Sequence, residues 1–249
     1  MDDFNEPREP GSGTMAEPQV RAMFDRIAGI YDRLNSLMTA GLHHRWRARA
    51  VELAALEPGA RVLDVATGTG DLAFALARAA GPSGEVVAAD FSEQMLSVAR
   101  RKADQGAAGP GAAPVVFEQA NALLLPHSNG EFDAATAGFG VRNFQDLDQG
   151  LRELARVVKP GGRVVILEMT TPVRPPLSIF FKLWFDRIVP LLGRVAGDPS
   201  AYSYLPSSVR RFPGPEDLAS HLAAAGLSDV RYVLTAGGII ALHVGTVVA

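Results

Sequence analysis

The period of apolar positions along the chain changes once. Between residues 18 and 57 they recur every three or four positions. Phe24, Ile27 and Tyr31, then Leu34, Leu37 and Met38, predict helices with short breaks, and "HHRWRARAVELAAL" (43–56) continues until Pro58-Gly59. Beyond that point, short apolar runs alternate with amphipathic stretches. "ARVLDVA" (60–66), "GEVVAAD" (84–90), "VVFEQAN" (115–121), "FDAATAG" (132–138) and "RVVILEM" (163–169) read as strands. "GDLAFALARAAG" (70–81), "EQMLSVARRK" behind Ser92 as its cap, and "DQGLRELARVV" (148–158) read as helices. Such alternation predicts a parallel α/β sheet covered on both faces. "DQGAAGPGAAP" (104–114) is a loop by composition, and Lys159-Pro160-Gly161-Gly162 is a helix stop and tight turn. After a last helix, "GPEDLASHLAAAG" (214–226), the segments "SDVRYVLT" (228–235) and "GIIALHVGTVV" (238–248) predict an antiparallel hairpin closing the sheet.

Residues 1–17 are acidic and rich in Pro, Gly and polar side chains, without the basic start and apolar run of a signal peptide, so they predict a disordered tail. Residues 18–249 then form one domain: a helical cap (18–57) and a core (60–249), with a helical insertion at about 174–212. The most apolar stretch, "LSIFFKLWFDRIVPLLG" (177–193), falls short of the roughly 20 residues of a membrane span and is broken by Lys182, Asp186, Arg187 and Pro190. Phe180, Phe181, Trp184, Phe185 and Ile188 share one face of it opposite Lys182 and Asp186, the pattern of an ordinary core-facing helix.

Composition narrows the chemistry. The 249 residues are 47% hydrophobic, enough for a sizeable core, and the net charge of −3 gives no pull toward nucleic acid. Zero cysteines exclude disulfides, thiolate metal sites and cysteine nucleophiles, and fit a cytoplasmic setting. No His/Asp/Glu cluster has metal-ligand spacing.

The strand–turn–helix "VLDVATGTGDLA" (62–73) is the strongest local signal. No G-x-x-x-x-G-K-[ST] is present, which rules out the phosphate loop of nucleotide triphosphatases. Gly68, Gly70 and Ala73 satisfy G-x-G-x-x-A, and Asp90 lies 22 residues beyond Gly68, where a carboxylate grips ribose hydroxyls. The turn alone therefore leaves a nicotinamide dinucleotide open. Asp64 inside the first strand and Asp71 after the last glycine would repel a pyrophosphate. They suit S-adenosylmethionine, which carries an amino group and a sulfonium. Structural alternatives stand beside these readings: Asp64 accepting turn amides, Asp71 as a favourable charge in a first helical turn, and Asn121 in a plain turn.

In order and spacing, "VLDVATGTGD", "VVAADFSEQML", "QANALLLP" and "RVVKPGGRVVILE" resemble the class I S-adenosylmethionine-dependent methyltransferases. That resemblance implies a Rossmann-like, mostly parallel sheet of seven strands in order 3-2-1-4-5-7-6, with strand seven antiparallel. "MFDRIAGIYDRLNSLMTAGLHHRWR" (23–47), "FGVRN" (139–143), "AYSYLPSSVRRFP" (201–213) and "LTAGGIIALHVG" (234–245) resemble the ubiquinone/menaquinone-biosynthesis C-methyltransferases, extending the likeness from about residue 20 to the C-terminus. The resemblance implies methylation of a ring carbon on a polyprenylated hydroquinone, demethylmenaquinol or the benzoquinol of the ubiquinone pathway. Another small aromatic acceptor is the alternative reading. Family cofactor contacts carry over to Thr69, Asp90, Asn121 and Ala122, around the turn of Asp64, Gly68 and Gly70. One position departs: Gly138 stands where the family carries Ser.

Carbon methylation needs alignment and a ring made nucleophilic by loss of a hydroxyl proton. Arg142 in "FGVRN", at the carboxyl edge of the sheet, is the expected catalytic residue, a permanent cation that stabilises a phenolate or holds a proton-accepting water. Tyr31, Tyr202 and Tyr204 are candidates for the acceptor cavity, with structural tyrosines as the alternative. His43 and His44 could serve as bases, but beside Arg45 and Arg47 they read as a solvated basic face, and His243 reads as a core histidine. Met38 and Trp46 would join the aromatic helix in an apolar cap over the acceptor. A bilayer-resident substrate implies transient contact with the inner membrane face, without an anchor. Whether the chain forms a homodimer is left open.

Overall fold

The computed structural model describes residues 17–39, 41–172, 175–184 and 199–248. Residues 1–16 of the predicted tail, Phe185 and Ile188 lie outside them; Glu17, assigned to the tail, opens the first helix instead. Three helices come first: α1 (Glu17–Ile27), α2 (Tyr31–Thr39) and α3 (His43–Ala54). Strands and helices then alternate: β1 (Arg61–Val65), α4 (Asp71–Ala80), β2 (Glu85–Asp90), α5 (Glu93–Asp104), β3 (Val115–Gln119), β4 (Phe132–Gly138), α6 (Leu147–Val157) and β5 (Val158–Met169). The chain continues through α7 (Leu177–Leu183), α8 (Pro199–Arg211) and α9 (Pro215–Ala224) to β6 (Leu227–Thr235) and β7 (Ile240–Val247). The seven strands lie in the order β3-β2-β1-β4-β5-β7-β6, with β7 antiparallel to both neighbours and the remaining pairs parallel.

Local sequence explains the boundaries. Ser92 caps α5 by accepting the Met95 amide at 3.1 Å, and Asp146 caps α6 by accepting that of Gln149 at 2.8 Å. The Lys159–Gly162 turn is absorbed into β5 as an irregularity. Phe132 pairs with Val158 and Ala134 with Arg163, so Asp133 alone faces the extra residues. A side chain at Gly162 would meet the Asp133 carbonyl at 2.5 Å, which accounts for glycine there.

Both sheet faces are covered, as buried parallel strands require. Trp46, Ala50, Leu72 and Leu76 of α3 and α4 bury one face against Val62 and Val165. Leu151, Leu154, Leu218 and Leu222 of α6 and α9 bury the other against Leu63 and Ile166. Each such leucine contributes roughly 1.5–3 kcal/mol. A further cluster is functionally important: Val20, Met23 and Ile27 of α1 pack with Met95 of α5 and Tyr204 of α8. It fixes the N-terminal helices beside the carboxyl ends of the strands, where open α/β sheets collect ligands.

Candidate active site

The carboxyl ends of β1, β2 and β4 open into a cleft lined by Asp64, Gly68, Thr69, Asp90, Asn121, Ala122 and Gly138. Gly70 is not on its wall. With φ +84° it begins α4, and a Cβ there would stand 3.1 Å from Phe74 and 3.2 Å from Ala99, so its role is to let the helix start. Gly68 does face the opening: at φ +58°, an added Cβ would meet nothing within 4 Å. Two non-glycine residues beside the cleft, Ala66 (φ +53°) and Phe139 (φ +60°), hold the left-handed conformation. Strain of this kind, about 1–3 kcal/mol per residue, persists where surrounding structure enforces it and clusters at functional sites.

The two buried carboxylates differ in their bonds. Asp64 accepts the hydroxyls of Thr67 and Thr136, each at 2.6 Å. Asp90 accepts backbone amides, Gly68 N–H at 2.8 Å and Ser92 N–H at 2.9 Å, which ties the glycine turn to the end of β2. Burial raises the pKa of each to about 6, against the lowering effect of those hydrogen bonds. Both are therefore mostly ionised at neutral pH.

Asp71 behaves differently. Arg47 Nη1 lies 3.0 Å from Oδ2, and Lys102 Nζ closes on Oδ1. Burial works to raise its pKa, but these cations outweigh it and hold the carboxylate below its usual range. The negative charge expected from Asp71 is thus answered inside the protein, and of the two acids expected to repel a pyrophosphate only Asp64 has no cation paired with it among the described residues. Lys102 also bonds Asp32 at 2.9 Å, and the Thr69 hydroxyl donates to Asp32 at 2.5 Å. Ser92 donates to Asp25 at 2.5 Å. Asp25 and Asp32 belong to α1 and α2, so the N-terminal helices are bonded directly to the cleft. Asn121 accepts the Leu123 amide at 2.9 Å, forming the plain turn, while still lining the cleft.

A second, mainly apolar cavity of about 320 Å³ adjoins the first, and Phe24, Tyr31, Arg47 and Phe139 line both. Met38 and Trp46 contribute from the N-terminal helices and Phe180, Phe181 and Trp184 from the insertion. Phe181 is buried, but Phe180 is 56% exposed and stacks on Trp184 with centroids 6.1 Å apart. The helix therefore presents apolar surface to solvent as well as to the core, unlike the ordinary helix its pattern predicts.

Arg142 lies in this second cavity, in a short 3-10 turn (Val141–Asn143) after β4. Its Nη1 donates to Glu168 Oε1 at 2.5 Å and to the Phe139 carbonyl at 2.7 Å, while buried Nε has no partner. Burial works to lower the guanidinium pKa, but Glu168, only 1% exposed, together with Tyr31 and Tyr204 raises it further above its usual value. Tyr31 and Tyr204 line the cavity; the side chain of Tyr202 lies outside the described set. Tyr204 donates to Asn143 Oδ1 at 3.0 Å, and burial raises its pKa. His243 is a core histidine, its Nε2 bonded to the Pro215 carbonyl at 2.8 Å.

His43 overturns its expected place. It is 3% exposed and lines the apolar cavity, whereas His44 and Arg45 are exposed. On α3 the positions 43, 47, 50 and 54 share the inward face, so the basic run divides between the two sides. Sequence reading also misses Glu168, Thr136, Asp25, Asp32 and Lys102. No group of three or more His, Cys, Asp or Glu side chains suited to a metal ion occurs among the described residues.

The sheet order, its antiparallel β7 and the cleft at the strand ends define the class I S-adenosylmethionine-dependent methyltransferase fold. Solved structures with this fold include an S-adenosylmethionine-dependent methyltransferase from Aquifex aeolicus (TM-score 0.58, 20% identity, 81% of this chain and 89% of that one). The [4+2]-cyclase SpnF also has it (TM-score 0.68, 18% identity, 96% and 98%), so the fold alone does not fix the reaction. The chain belongs to the ubiE/COQ5 methyltransferase family, whose profile matches residues 13–247. It is 49% identical over 224 residues to the demethylmenaquinone methyltransferase of Thermus thermophilus, covering 90% of this chain and 99% of that protein. It is 43% identical over 229 residues to the ubiquinone/menaquinone biosynthesis C-methyltransferase UbiE of Ralstonia pickettii, covering 91% of each.

Proposed function

We propose that the protein transfers a methyl group from S-adenosylmethionine to a ring carbon of a polyprenylated hydroquinone, demethylmenaquinol in the first instance, giving menaquinol. The observation that carries this reading is the pair of adjoining sites: a cleft walled by Asp64 and Asp90, and a more apolar cavity walled by Arg142. Family membership and the names of the relatives at 49% and 43% identity point the same way.

The cleft suits the donor. Carboxylates at Asp64 and Asp90 favour a cation, and the open space over Gly68 lets a ligand approach backbone. When bound, S-adenosylmethionine supplies a methyl group activated by its positive sulfur. Asp90 accepts the Gly68 amide on one oxygen and the Ser92 amide on the other, and a carboxylate's four lone pairs leave capacity for a ribose hydroxyl. The Ala122 amide, just past β3 on the cleft wall, would read the adenine edge. Thr69 holds Asp32 and, with Ser92 and Asp25, keeps α1 and α2 beside the cleft, which excludes water.

The acceptor ring belongs in the apolar cavity. Arg142 is prepositioned there by Glu168 and the Phe139 carbonyl, and its unpartnered Nε–H, enclosed by protein atoms, would become a donor for a ring oxygen once the bound ring opens it. A fixed cation with a spare donor stabilises negative charge on that oxygen. Leu177, Ile179, Phe180 and Leu183 on α7 are exposed, and Phe180 also lines the cavity, giving the polyprenyl chain a continuous apolar path to the surface. No helix among the described residues is long and apolar enough to cross a membrane. Transient contact of α7 with the inner face of the membrane, from the cytoplasm, would deliver the substrate.

The test is incubation with methyl-labelled S-adenosylmethionine and reduced short-chain demethylmenaquinone. Label in the quinone fraction, and none with the oxidised quinone, is expected. Donor binding without label in either the naphthoquinol or a demethylated benzoquinol would overturn the reading.

A further inference from the structure

We propose that His43 is the general base of the reaction, taking the proton of the acceptor's ring hydroxyl on Nε2. The inference rests on the quinol-methylation reading above and adds the proton acceptor that reading lacks, because Arg142 stays protonated beside Glu168 and cannot serve.

The hydrogen bonds around His43 fix its tautomer. The Thr39 hydroxyl has one hydrogen, which it donates to the Asn35 carbonyl at 2.7 Å. Its contact with His43 Nδ1, at 2.6 Å, is therefore made as an acceptor, and Nδ1 carries the ring hydrogen. The lone pair of the neutral imidazole is then on Nε2, which has no partner among the described residues. Ring and relay come from α3 and α2, and both His43 and Thr39 line the apolar cavity that holds Arg142. A base oriented through its second nitrogen by a third group is the arrangement that proton abstraction needs.

The surroundings of the ring keep it neutral, with the Nε2 lone pair available, and leave it a weak base until a phenolate forms beside it. Burial, then Arg47 and His44, lower its pKa to about 4, while Asp71 and Asp32 oppose them. Tyr31, Tyr204 and Arg142 share the cavity. The imidazole is thus neutral at pH 7. A phenolate forming against it supplies the opposite charge that raises its basicity as the proton moves. In that step the hydroxyl O–H bond breaks, its electron pair stays on the ring oxygen, and an N–H bond forms at Nε2. Nothing is oxidised or reduced.

His43→Asn can keep a donor toward Thr39 but lacks the second nitrogen, and His43→Ala opens space for added imidazole. Both should bind S-adenosylhomocysteine as the unaltered protein does and lose about 100-fold or more in single-turnover rate, the usual contribution of a general base. Imidazole should partly restore His43→Ala. With donor saturating, the fall of the single-turnover rate near pH 4 should vanish in both variants. A donor-free measurement separates this inference from the functional reading it rests on. In protein labelled with ¹⁵N-histidine, the reduced acceptor should shift the Nε2 resonance of His43, while the quinone, lacking the hydroxyl, should not. If the unaltered protein methylates the quinol and His43→Asn does so within threefold, the base assignment is wrong and the reaction stands. If the quinol binds without moving Nε2, the assignment is equally wrong. An Nε2 shift without methylation would instead sink the methyl-transfer reading and keep the contact.

Discussion

The cleft and the cavity beside it share a wall of four residues but are built on opposite principles. The cleft is written by short consecutive segments at strand ends, and its polar atoms are mostly spent on one another: Asp64 on two threonines, Asp90 on two amides, Asp71 on two cations. The cavity is assembled from α1–α3, a 3-10 turn, α7, α8 and β7, and its few polar groups are left with capacity to spare: Arg142 Nε and His43 Nε2. A site whose atoms are satisfied in advance holds a ligand in one pose; a site with unsatisfied atoms reserves them for the reacting group.

The sharpest way to break that contrast is at Arg142. Arg142→Met should lower turnover by about 100- to 1000-fold, the loss typical of a donor aimed at developing charge, while donor binding in the cleft changes little. It also strands Glu168, and breaking a buried pair costs about 3–5 kcal/mol. The double variant Arg142→Met/Glu168→Gln should regain much of that stability and none of the activity. Thermal melting with single-turnover assays checks both; recovery of activity in the double variant would show that the ion pair is structural.

Asp90→Ala is the corresponding change in the cleft. It removes the acceptor for two amides, leaving each at a cost of about 1–3 kcal/mol, and it should weaken S-adenosylhomocysteine binding about 100-fold, read by calorimetry. Quinol affinity in the cavity should stay within threefold.

These two sites differ just as much in how far the chain foretells them. The sheet order and the glycine turn are legible because each strand is a compact apolar run, and the cleft residues follow directly from the ends of those runs. Pairs that join distant segments carry no periodic signal. Thr69 with Asp32, Ser92 with Asp25, and Arg142 with Glu168 are of this kind. His43 was legible in principle. It stands one turn ahead of Arg47 on the stripe that continues through Ala50 and Ala54, so helical phase places it inside despite its basic neighbours. Asp71 taught the opposite lesson: its position in the turn was clear, but its charge depended on Arg47 and Lys102, which only the fold brings near.

Acidity gives a milder test, because the cleft titrates in a range where Arg142 does not. Asp64 and Asp90 have folded pKa values raised to about 6. Below pH 6 they protonate and lose their attraction for a cationic donor. S-adenosylmethionine affinity should fall about tenfold per contributing carboxylate between pH 7 and pH 5, one decade per unit below the pKa. S-adenosylhomocysteine, without the sulfonium, should weaken less. Stability runs the other way. For a carboxyl whose folded pKa exceeds its unfolded value of 3.8, the contribution is fully present below 3.8 and is lost as pH rises through about 6. Parallel loss of both ligands would show that the acids shape the turn and do not attract charge.

The smallest expected effect lies at Gly138, which lines the cleft only. Its φ is not in the left-handed region, and an added Cβ would stand 3.1 Å from Leu72 Cδ2, the end of a side chain in the first turn of α4. A methyl group there can yield by a few tenths of an ångström. Gly140, two residues on, has no such room: its Cβ would fall 2.3 Å from that of Ala66, itself held at φ +53°. Gly138→Ser should therefore fold with less than about 1 kcal/mol of change, the new hydroxyl returning about as much through one hydrogen bond as the crowding removes. Donor affinity should move by less than about fivefold, the equivalent of that same 1 kcal/mol, and the turnover of bound quinol should not move at all. A change in turnover without a change in affinity would mean that Gly138 reaches the acceptor side, and the boundary drawn between cleft and cavity would have to shift to include it.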